Sequence, residues 1–506
     1  MSTATMATMV LLGLAACGTP HRDVGDGGGS AGGPDAYVNK CKVQDDTNGV
    51  PNCTNAAPPN SFDPEIQWMW NGPNGETNSI VSPLVANLTD DNGDGAIDLC
   101  DIPDVVVVAS TQSGSPNEPG HIYLLNGQTG AQELVISTVV DGTVTPALGD
   151  LDHDGVPEIV TVDPQGHLYA FHHDGSIMFG PAGLWAGDWY SGAIALADLD
   201  HDGNVEIIGG NTVFDSNGVV KWSAPSAQAT WNASTAADLD GDGYMEVVLG
   251  SAAYHYDGTL YWDTGLAPGY PQVANLDDDP EPEVLLTNVN GLSVIEHDGT
   301  IKYQDKRPTN DPVGFDTWLR PATVHDFDGN GKAEYAMSSA DHYTEYNADA
   351  TIKWSAPVSD QSGIAAGTAF DFLGDGTAEA MYADEQYLWV FDGAGQPIFQ
   401  MPRTSGTLTE YPVVADIDND GSAEIVVVSN LYMTASPTVQ VIRDKQDRWI
   451  QARRIWNEHA YHVTNVREDG TIPQFEQNSW DRLNTFRTNA QISGGAACQP
   501  VIERQL

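Results

Sequence analysis

Acidic loops with a carboxylate at every second position recur along this chain. The clearest copy places Asp150, Asp152, Asp154 and Glu158 at positions 1, 3, 5 and 9, with Gly155 at position 6. Side chains at positions 1, 3 and 5 of a tight loop converge on one point, and the glycine permits the sharp turn. Calcium in proteins takes roughly six to eight oxygen ligands from carboxylates, carbonyls and water. The loop therefore predicts a calcium site that the acid at position 9 could complete.

Seven further loops repeat this pattern more or less fully. Three keep every carboxylate, namely Asp198, Asp200, Asp202 and Glu206; Asp238, Asp240, Asp242 and Glu246; and Asp416, Asp418, Asp420 and Glu424. The looser copies are Asp90, Asn92, Asp94 and Asp98, with an insertion up to Asp104; Asn275, Asp277, Asp279 and Glu283; Asp326, Asp328, Asn330 and Glu334; and Asp371, Asp375 and Glu379. The last of these has Leu373 at position 3, so we expect it to bind calcium weakly or not at all.

The loop pattern also allows other interpretations. An EF-hand loop begins in the same way but ends in a glutamate at about position 12 and lies between helices. Here the last acid lies at position 9 and a Val/Ile-rich strand follows, which argues against an EF-hand. Acidic turns without metal are the alternative, because Asp, Asn and Gly favour turns. Magnesium fits less well than calcium, since it demands near-octahedral geometry.

The spacing of the loops predicts a β-propeller. They begin at residues 90, 150, 198, 238, 275, 326, 371 and 416, and repeats of about 40–50 residues are typical of propellers and solenoids. An apolar strand follows each loop, and hairpins marked by Asp-Gly come later, as at Asp174-Gly175 and Asp257-Gly258. We predict an all-β ring of four-stranded blades, with eight blades, or seven if the irregular first copy belongs to a partial element.

Two of the segments resemble a known repeat. Residues 192–203 and 412–421 look like FG-GAP/VCBS repeats, which form the integrin α-chain N-terminal β-propeller and the blades of many bacterial surface proteins. The similarity covers roughly residues 65–465. The resemblance implies that each calcium loop joins the first two strands of a blade. Because Ile66–Trp70 is similar to the outer strands at 219–222 and 352–354, we also expect it to complete the last blade and close the ring.

The N-terminus resembles a bacterial lipoprotein signal. An apolar run from Met6 ends in Leu14-Ala-Ala-Cys17-Gly18, which matches a lipobox. The resemblance implies a signal peptide over 1–17, lipidation of Cys17 and a lipid-anchored protein of the bacterial outer membrane or cell surface. No Lys or Arg precedes the run, so an ordinary signal peptide of a secreted protein is the alternative. Residues 18–64 read as a Gly/Asp/Ser-rich tether that includes Cys41 and Cys53.

Four cysteines remain after Cys17, at Cys41, Cys53, Cys100 and Cys498. An even number in an oxidising compartment predicts two disulfide bonds, and four cysteines allow three pairings. We choose Cys41–Cys53, which closes a small loop, and Cys100–Cys498, which ties the chain ends together.

The C-terminal part carries a second signature. The segment around Trp456, His459 and His462 resembles the terminal segment of bacterial FG-GAP-repeat surface proteins. We assign residues 466–506 to a cap on the propeller. Two histidines without a third ligand are a weak zinc signal.

Composition excludes some classes of partner. The chain has 71 acidic and 20 basic residues and a formal net charge of −51. Such a charge argues against binding to nucleic acid or to an anionic membrane face. We therefore expect contact with a membrane through the N-terminal anchor alone, and we expect a monomer.

No catalytic motif emerges. Propellers of the resembling kind also include polysaccharide lyases and quinone-dependent dehydrogenases, and candidate catalytic side chains here are His172, His173, His255, Arg320 and Arg403. None of them has a spacing that requires catalysis. The primary prediction is a non-enzymatic, calcium-stabilised surface propeller that binds or presents a surface for protein or glycan. The alternatives are a polysaccharide lyase or other propeller enzyme acting at the central channel, and a purely structural envelope component. Aromatic side chains that could contact a ligand, or pack between blades, are Trp185, Trp189, Trp231 and Trp318.

Overall fold

The computed structural model describes residues 41–43, 52–112, 114–187, 189–225, 233–277, 279–309 and 318–499. The predicted signal peptide, Cys17, most of the tether over 18–64 and Trp231 lie outside these ranges. Within them, no helix is long and apolar enough to cross a membrane. The short 3-10 helices span Pro73–Gly75, Val463–Asn465 and Ser479–Asp481.

Eight antiparallel sheets of four strands follow one another through the described part of the chain. Blades 1 to 4 comprise β2 to β5 (Leu84–Ala86, Asp104–Ser110, Pro119–Asn126, Gln132–Asp141), β6 to β9 (Ala147–Gly149, Glu158–Val162, Leu168–Phe171, Ile177–Phe179), β10 to β13 (Ile194–Ala197, Glu206–Gly209, Thr212–Phe214, Val220–Ser223) and β14 to β17 (Thr235–Ala237, Glu246–Val248, Ala252–Tyr254, Leu260–Asp263). Blades 5 to 7 comprise β18 to β21 (Gly269–Ala274, Glu283–Asn288, Gly291–Glu296, Ile301–Lys306), β22 to β25 (Thr323–His325, Glu334–Ser338, His342–Tyr346, Ile352–Pro357) and β26 to β29 (Gly367–Phe370, Glu379–Ala383, Tyr387–Phe391, Pro397–Pro402). Blade 8 contains β30 to β32 (Val413–Ala415, Glu424–Val428, Val439–Asp444) and β1 (Pro64–Trp70).

The blades form a closed ring. First strands of successive blades contact one another from blade 1 to blade 8. The N-terminal β1 pairs with β32, from Pro64 opposite Asp444 to Trp70 opposite Val439. Trp68 then donates a 2.6 Å hydrogen bond from Nε1 to the carbonyl of Gly127 in blade 1. Eight blades and closure by residues 66–70 are both confirmed.

Burial explains why these residues form strands. The second strand of a blade lies between two neighbouring strands of its sheet and is packed on both faces. Its sequence is therefore a continuous run of apolar residues. Glu424–Val428 and Glu158–Val162 are buried at every position. The fourth strand lies at the outer rim and alternates between buried and exposed residues, as Ile352–Pro357 does. Short continuous apolar runs of this kind are typical of buried strands.

The disulfide pairing differs from the one we predicted. Cys41 is bonded to Cys100 and Cys53 to Cys498. The predicted pairs Cys41–Cys53 and Cys100–Cys498 were wrong because each N-terminal cysteine lies beside a different distant segment. The N–H of Leu99 donates to the carbonyl of Cys41 (3.1 Å), and the N–H of Cys53 donates to the carbonyl of Gln499 (2.8 Å).

Residues 449–499, called here the terminal segment, run along the inner strands of the ring. Trp456 and Val85 of blade 1 exchange backbone hydrogen bonds of 2.9 Å. Other contacts at or next to first strands join Leu148 to Asn457, Leu196 to Glu458, Asn275 to Asn484, Val324 to Phe486, Thr368 to Arg487, and Val414 to Asn489. The segment thus holds seven blades together, and these contacts begin before residue 466. It also carries the β33–β34 hairpin (Gln491–Ser493 and Ala496–Cys498).

The centre of the ring is packed. Residues at or just before the first strands of blades 3 to 7 form one buried cluster, made of Ala193, Ala233, Tyr270, Leu319 and Ile364. Side chains from five different blades can share a cluster only at the ring axis. In the described part of the chain, the axis is therefore occupied by side chains at this level.

Candidate metal centres in the blade loops

Loops 2 to 8 each connect the first and second strands of the blade with the same number. In every one of them the position-9 glutamate begins the second strand, and its Oε2 accepts a hydrogen bond of 2.6–3.1 Å from the N–H at position 2. These glutamates are Glu158, Glu206, Glu246, Glu283, Glu334, Glu379 and Glu424. One carboxylate oxygen thereby anchors the loop, and the other, Oε1, is left for another partner.

The position-1 acid and the position-6 glycine shape the turn. Asp150 Oδ2 accepts the Gly155 N–H at 3.1 Å, and Asp416 Oδ2 accepts the Gly421 N–H at 3.1 Å. The glycine has φ of 93° in the first case and 89° in the second, a conformation that disfavours other residues. Loop 5 lacks the glycine and holds its turn through the Asn275 side-chain N–H, which donates to the carbonyl of Asp279 at 2.5 Å.

In blade 1, the acid that corresponds to position 9 is not the one that we assigned from the sequence. Its second strand begins at Asp104, whose Oδ2 accepts the Leu88 N–H at 3.0 Å, as the position-9 glutamates do in the other blades. Asp104, and not Asp98, therefore corresponds to position 9. The predicted ligands Asp90, Asn92, Asp94 and Asp98 lie in the insertion that precedes β3, where Asp90 accepts the N–H groups of Gly93 (2.8 Å) and Gly95 (2.9 Å). Sequence spacing could not separate this inserted turn from a blade loop.

Blades 3, 5 and 6 place a lysine against the acids at positions 3 and 9. Lys221 Nζ lies 3.1 Å from Asp200 and 2.8 Å from Glu206. Lys302 contacts Asp277 and Glu283 in the same way, and Lys353 contacts Asp328 and Glu334. Burial lowers the pKa of Lys221, but its hydrogen bonds to the two carboxylates raise that pKa overall. Each lysine comes from the fourth strand of its own blade.

Blades 2 and 4 use histidine at the equivalent place. His172 Nδ1 lies 3.2 Å from Glu158 and 3.8 Å from Asp152. His255 makes the corresponding contacts with Glu246 (2.8 Å) and Asp240 (4.0 Å). These histidines come from the turn after the third strand, whereas the lysines come from the fourth strand. Five blades thus supply one basic side chain to the same acid pair, from either of two backbone positions.

Loop 8 differs from loops 2 to 6 in the groups that contact its acids. In the described part of the chain these groups are side-chain amides, and no lysine or histidine is among them. Gln67 donates to Asp418 at 2.7 Å, and Gln451 donates to Asp416 at 2.9 Å. Asp416 and Glu424 are completely buried, and neither Asp416 Oδ1 nor Glu424 Oε1 has a hydrogen-bond partner. Arg454 lies near Asp416 but hydrogen-bonds to Glu468. Two oxygens of buried acids are therefore left without a donor.

The electrostatics of loop 8 reflect this deficit of positive charge. Burial, together with repulsion from Asp418, raises the pKa of Asp420 to about 7. The same causes raise the pKa of Asp416 and of Glu424 well above their usual values. Buried carboxylates need a cation or hydrogen-bond donors to remain ionised. The oxygens of the four acids and a backbone carbonyl are the ligand types that a hard divalent cation prefers.

Loop 7 has an incomplete set of side-chain oxygens. Leu373 stands at position 3, and Asp371 uses its two oxygens to accept backbone N–H groups, among them that of Gly376 at 2.9 Å. Burial raises the pKa of Asp371 to about 6. Because Asp371 is already hydrogen-bonded and position 3 offers no oxygen, this loop has fewer available ligands than loop 8.

The candidate catalytic side chains do not converge. Arg320 is buried in an ion pair with Asp360, and Arg403 is buried against Glu410 at 3.1 Å. His173 contacts the carbonyl of Leu88. Together with His172 and His255, these residues belong to different parts of the ring. The two arginines connect neighbouring blades inside the protein.

The histidines of the terminal segment have structural partners. His462 Nε2 lies 2.7 Å from Glu476, and its Nδ1 lies 3.0 Å from the carbonyl of Ala460. His459 is completely buried beside Arg487, and burial holds its pKa well below the usual value. The pair is part of the packed contact between the terminal segment and the ring.

The tryptophans that could contact a ligand are mostly internal. Trp185 and Trp318 are buried. Trp189 donates to Asp141 at 3.0 Å, and its ring packs against Gly166. More accessible aromatic side chains lie in the terminal segment, where Phe475 is 61% exposed and Trp480 lines two surface cavities. Sequence reasoning did not single these two out, since their neighbours come from distant blades.

A family model agrees with the repeat geometry. The FG-GAP repeat model matches residues 230–261, a range that contains loop 4 and the second and third strands of blade 4. The chain is an eight-bladed β-propeller in which residues 230–261 match an FG-GAP repeat.

Solved structures share this propeller fold. The V. cholerae biofilm matrix protein Bap1 has a TM-score of 0.78 at 22% sequence identity, covering 87% of this chain and 100% of that chain. Rhamnogalacturonan lyase YesW has a TM-score of 0.50 at 17% identity, covering 87% of this chain and 83% of that chain. No curated protein sequence matches the chain. At these identities the likenesses establish the fold and carry no activity to this protein.

Proposed function

We propose that this protein is a non-enzymatic, calcium-stabilised β-propeller of the bacterial cell envelope that presents its surface for binding glycan or protein. The proposed stabilisation by calcium rests on the unpartnered acids of loop 8. There, Asp416 Oδ1 and Glu424 Oε1 are buried without a hydrogen-bond partner, and Asp418 and Asp420 lie in the same turn.

The two unpartnered oxygens of loop 8 destabilise the protein when no cation is bound. A buried polar group without a partner costs about 1–3 kcal/mol, and more when it is charged. Calcium bound by the four carboxylates would remove that cost and the repulsion between the acids. In blades 3, 5 and 6 a lysine ammonium already neutralises the acid pair. We therefore expect loop 8 to bind calcium most strongly, and loops 3, 5, 6 and 7 to bind it weakly.

Loop 2 ranks after loop 8 for the same reason. Asp150 Oδ1 is also buried without a hydrogen-bond partner, and Asp150, Asp152 and Asp154 bring three carboxylates within 4.8 Å of one another. His172 contacts the acids at positions 3 and 9, but it is a basic partner only when protonated. We expect loops 2 and 4 to have intermediate affinity.

A binding role is favoured over an enzymatic one. The five candidate catalytic side chains point to loops, carbonyl groups or internal ion pairs, and side chains occupy the ring axis. An enzyme that worked at the mouth of a central channel would need catalytic groups that converge in a pocket there. The net charge of −51 favours a neutral or cationic ligand over an anionic one.

The proposed location rests on three observations. The lipobox at Cys17 indicates lipid anchoring. Two disulfide bonds are typical of an extracytoplasmic compartment. Bap1, which shares the fold, is a biofilm matrix protein. We propose an envelope-anchored protein, with secretion as the alternative.

Calorimetric titration of calcium into chelator-treated protein tests the proposal. The matched proteins are the wild type and an Asp416→Asn/Glu424→Gln double variant, which keeps the size of both side chains. Wild-type protein should show at least one calcium site that the double variant lacks. If the two isotherms agree, or if neither protein binds calcium, loop 8 is an acidic turn and the proposed role of calcium is wrong.

A further inference from the structure

Two cavities flank Trp480 on the side of the ring that carries the acidic loops. The smaller, about 190 Å³, is lined by His201, Asp238, Phe475 and Asn478, among others. The larger, about 630 Å³, lies on the other side of Trp480, between the terminal segment and loops 5 and 6. We propose that these cavities form one cleft, called here the Trp480 cleft, which binds an uncharged polysaccharide chain. The proposal rests on the glycan-binding role given above and names its site.

A row of aromatic rings extends from the smaller cavity. The centroids of Phe475 and His201 are 4.8 Å apart, those of His201 and Tyr244 are 5.7 Å apart, and those of Tyr244 and Tyr256 are 4.8 Å apart. Phe475 is 61% exposed and Tyr244 is 39% exposed. The row joins the terminal segment to blades 3 and 4, and two of its side chains are exposed to solvent. Exposed aromatic groups beside a cavity are typical of binding sites.

The polar groups of the cleft suit hydroxyl groups. Asp238, Glu476 and Asn478 line the smaller cavity, and Asn275, Asn484 and Gln499 line the larger one. Carboxylates accept hydrogen bonds, whereas side-chain amides both donate and accept them. A pyranose ring has apolar C–H faces and an edge of hydroxyl groups. Aromatic faces bordered by amides and carboxylates are complementary to both surfaces.

The charged residues that line the cleft favour an uncharged polysaccharide over an anionic one. The larger cavity is lined by three acids (Asp277, Asp349 and Asp481) and three bases (Lys302, Lys332 and Arg482), which balance. The smaller cavity adds the carboxylates Asp238 and Glu476, with His201 as its one other ionisable lining residue. The cleft as a whole is neutral to acidic within a strongly acidic protein. An anionic chain would therefore be repelled, and an uncharged chain would not.

The shape of the site favours a chain over a compact ligand. Trp480 contributes to both cavities, so that a ligand lying across its ring would extend into each of them. The indole is partly buried against the core between blades 4 and 5, which fixes its orientation. A rigid aromatic group placed between two cavities can contact one sugar residue while neighbouring residues occupy the cavities.

Affinity electrophoresis of the full chain in calcium-containing gels tests the proposal. The gels contain a soluble neutral β-glucan, a mannan, a galactan or a dextran, with polygalacturonate as the anionic comparison. At least one neutral polysaccharide should retard the wild type. Phe475→Ala and Trp480→Ala should each weaken that binding about fivefold, the effect expected from losing one aromatic contact of about 1 kcal/mol. Met433→Ala, at another strongly exposed apolar residue, should have no effect.

Several results would overturn the proposal. Retardation of the wild type by polygalacturonate alone, or by none of the neutral polysaccharides, excludes an uncharged glycan ligand. Binding that is unchanged in Phe475→Ala and Trp480→Ala places the ligand elsewhere while leaving a glycan-binding function intact. Because Phe475 is largely exposed, its variant tests the cleft even if Trp480→Ala disturbs the terminal segment. Calcium titration of the same proteins separates failure of the cleft from failure of the calcium proposal.

Discussion

Replacement of Asp416 by asparagine is expected to change stability in opposite directions with and without calcium. The amide keeps the size of the side chain and an oxygen that can accept the Gly421 N–H. It removes one of four acids from a loop in which burial and mutual repulsion raise the pKa of Asp420 to about 7. Without calcium, Asp416→Asn should therefore match or exceed the stability of the wild type. With calcium, it should be less stable, because it binds the ion less tightly.

The size of the effect follows from the two orphaned oxygens of Asp416 and Glu424. At about 1–3 kcal/mol each, they leave roughly 2–6 kcal/mol for a cation to recover. Calcium at about 100 times its Kd stabilises a one-site protein by about 2.7 kcal/mol, which lies within that range. The larger compact unit spans Asn39–Leu506, so its unfolding entropy is about 1 kcal/mol/K at roughly 2 cal/mol/K per residue. One site should therefore shift Tm by about 3 °C.

Differential scanning calorimetry in excess calcium and in excess chelator measures this response. Calcium should raise the Tm of the wild type by about 3 °C or more, since other loops add to the effect. Asp416→Asn should lose about 3 °C of that increase. Asp375→Asn in loop 7 is the matched control and should retain it, because loop 7 already lacks an oxygen at position 3. A loss of Tm in Asp416→Asn that is equal in both buffers would refute the reasoning.

Three further predictions concern other parts of the ring. Lys221→Met should cost about 1–3 kcal/mol in urea unfolding without calcium, because it leaves the buried Glu206 without its basic partner. A double Cys53→Ala/Cys498→Ala variant should lose up to about 6 kcal/mol, the chain-entropy value for cysteines separated by 445 residues. Burial raises the pKa of Glu458 to about 8, so the folded state holds the proton of this carboxyl more tightly than the unfolded state does. The free energy of unfolding should therefore fall by about 4 kcal/mol between pH 5 and 8. Glu458→Gln should reduce this fall, as measured by urea unfolding at a series of pH values.

Each of these predictions has a contradicting result. Lys445→Met, at an exposed lysine, is the control for Lys221→Met, and equal losses in the two variants would remove the special role of Lys221. An unchanged melting temperature of the double-alanine variant under oxidising conditions would mean that Cys53–Cys498 adds no stability. A pH profile of Glu458→Gln identical to that of the wild type would mean that Glu458 is ionised in the folded protein at neutral pH.

The ring was predictable from the sequence because each blade carries its own local signals. An acidic loop and an apolar strand recur in every repeat, and an Asp-Gly hairpin marks four of the eight. Closure by residues 66–70 followed from their similarity to the outer strands. The position-6 glycine was also predictable, since loops such as that of Gly155 need a positive φ. The loops and hairpins depend on residues that are near one another in the chain, whereas closure joins distant strands and was visible only because residues 66–70 resemble the other outer strands.

Contacts between distant residues were not predictable in the same way. The pairing of Cys41 with Cys100 depends on where the insertion of blade 1 lies, and that insertion also concealed Asp104 as the position-9 acid. The lysines did leave a signal, because Lys221 and Lys353 each precede a tryptophan in the fourth strand. A comparison of the repeats at those positions could have found the basic partner of the acid pair.

A crystal structure of the protein grown in calcium, with anomalous diffraction measured to identify the metal, tests the central claim most directly. We predict an anomalous peak in loop 8, surrounded by oxygens of Asp416, Asp418, Asp420 and Glu424 at about 2.3–2.6 Å, and weaker or no peaks in the lysine-bearing loops 3, 5 and 6. A loop 8 that contains only water at saturating calcium would contradict the claim that calcium stabilises this propeller.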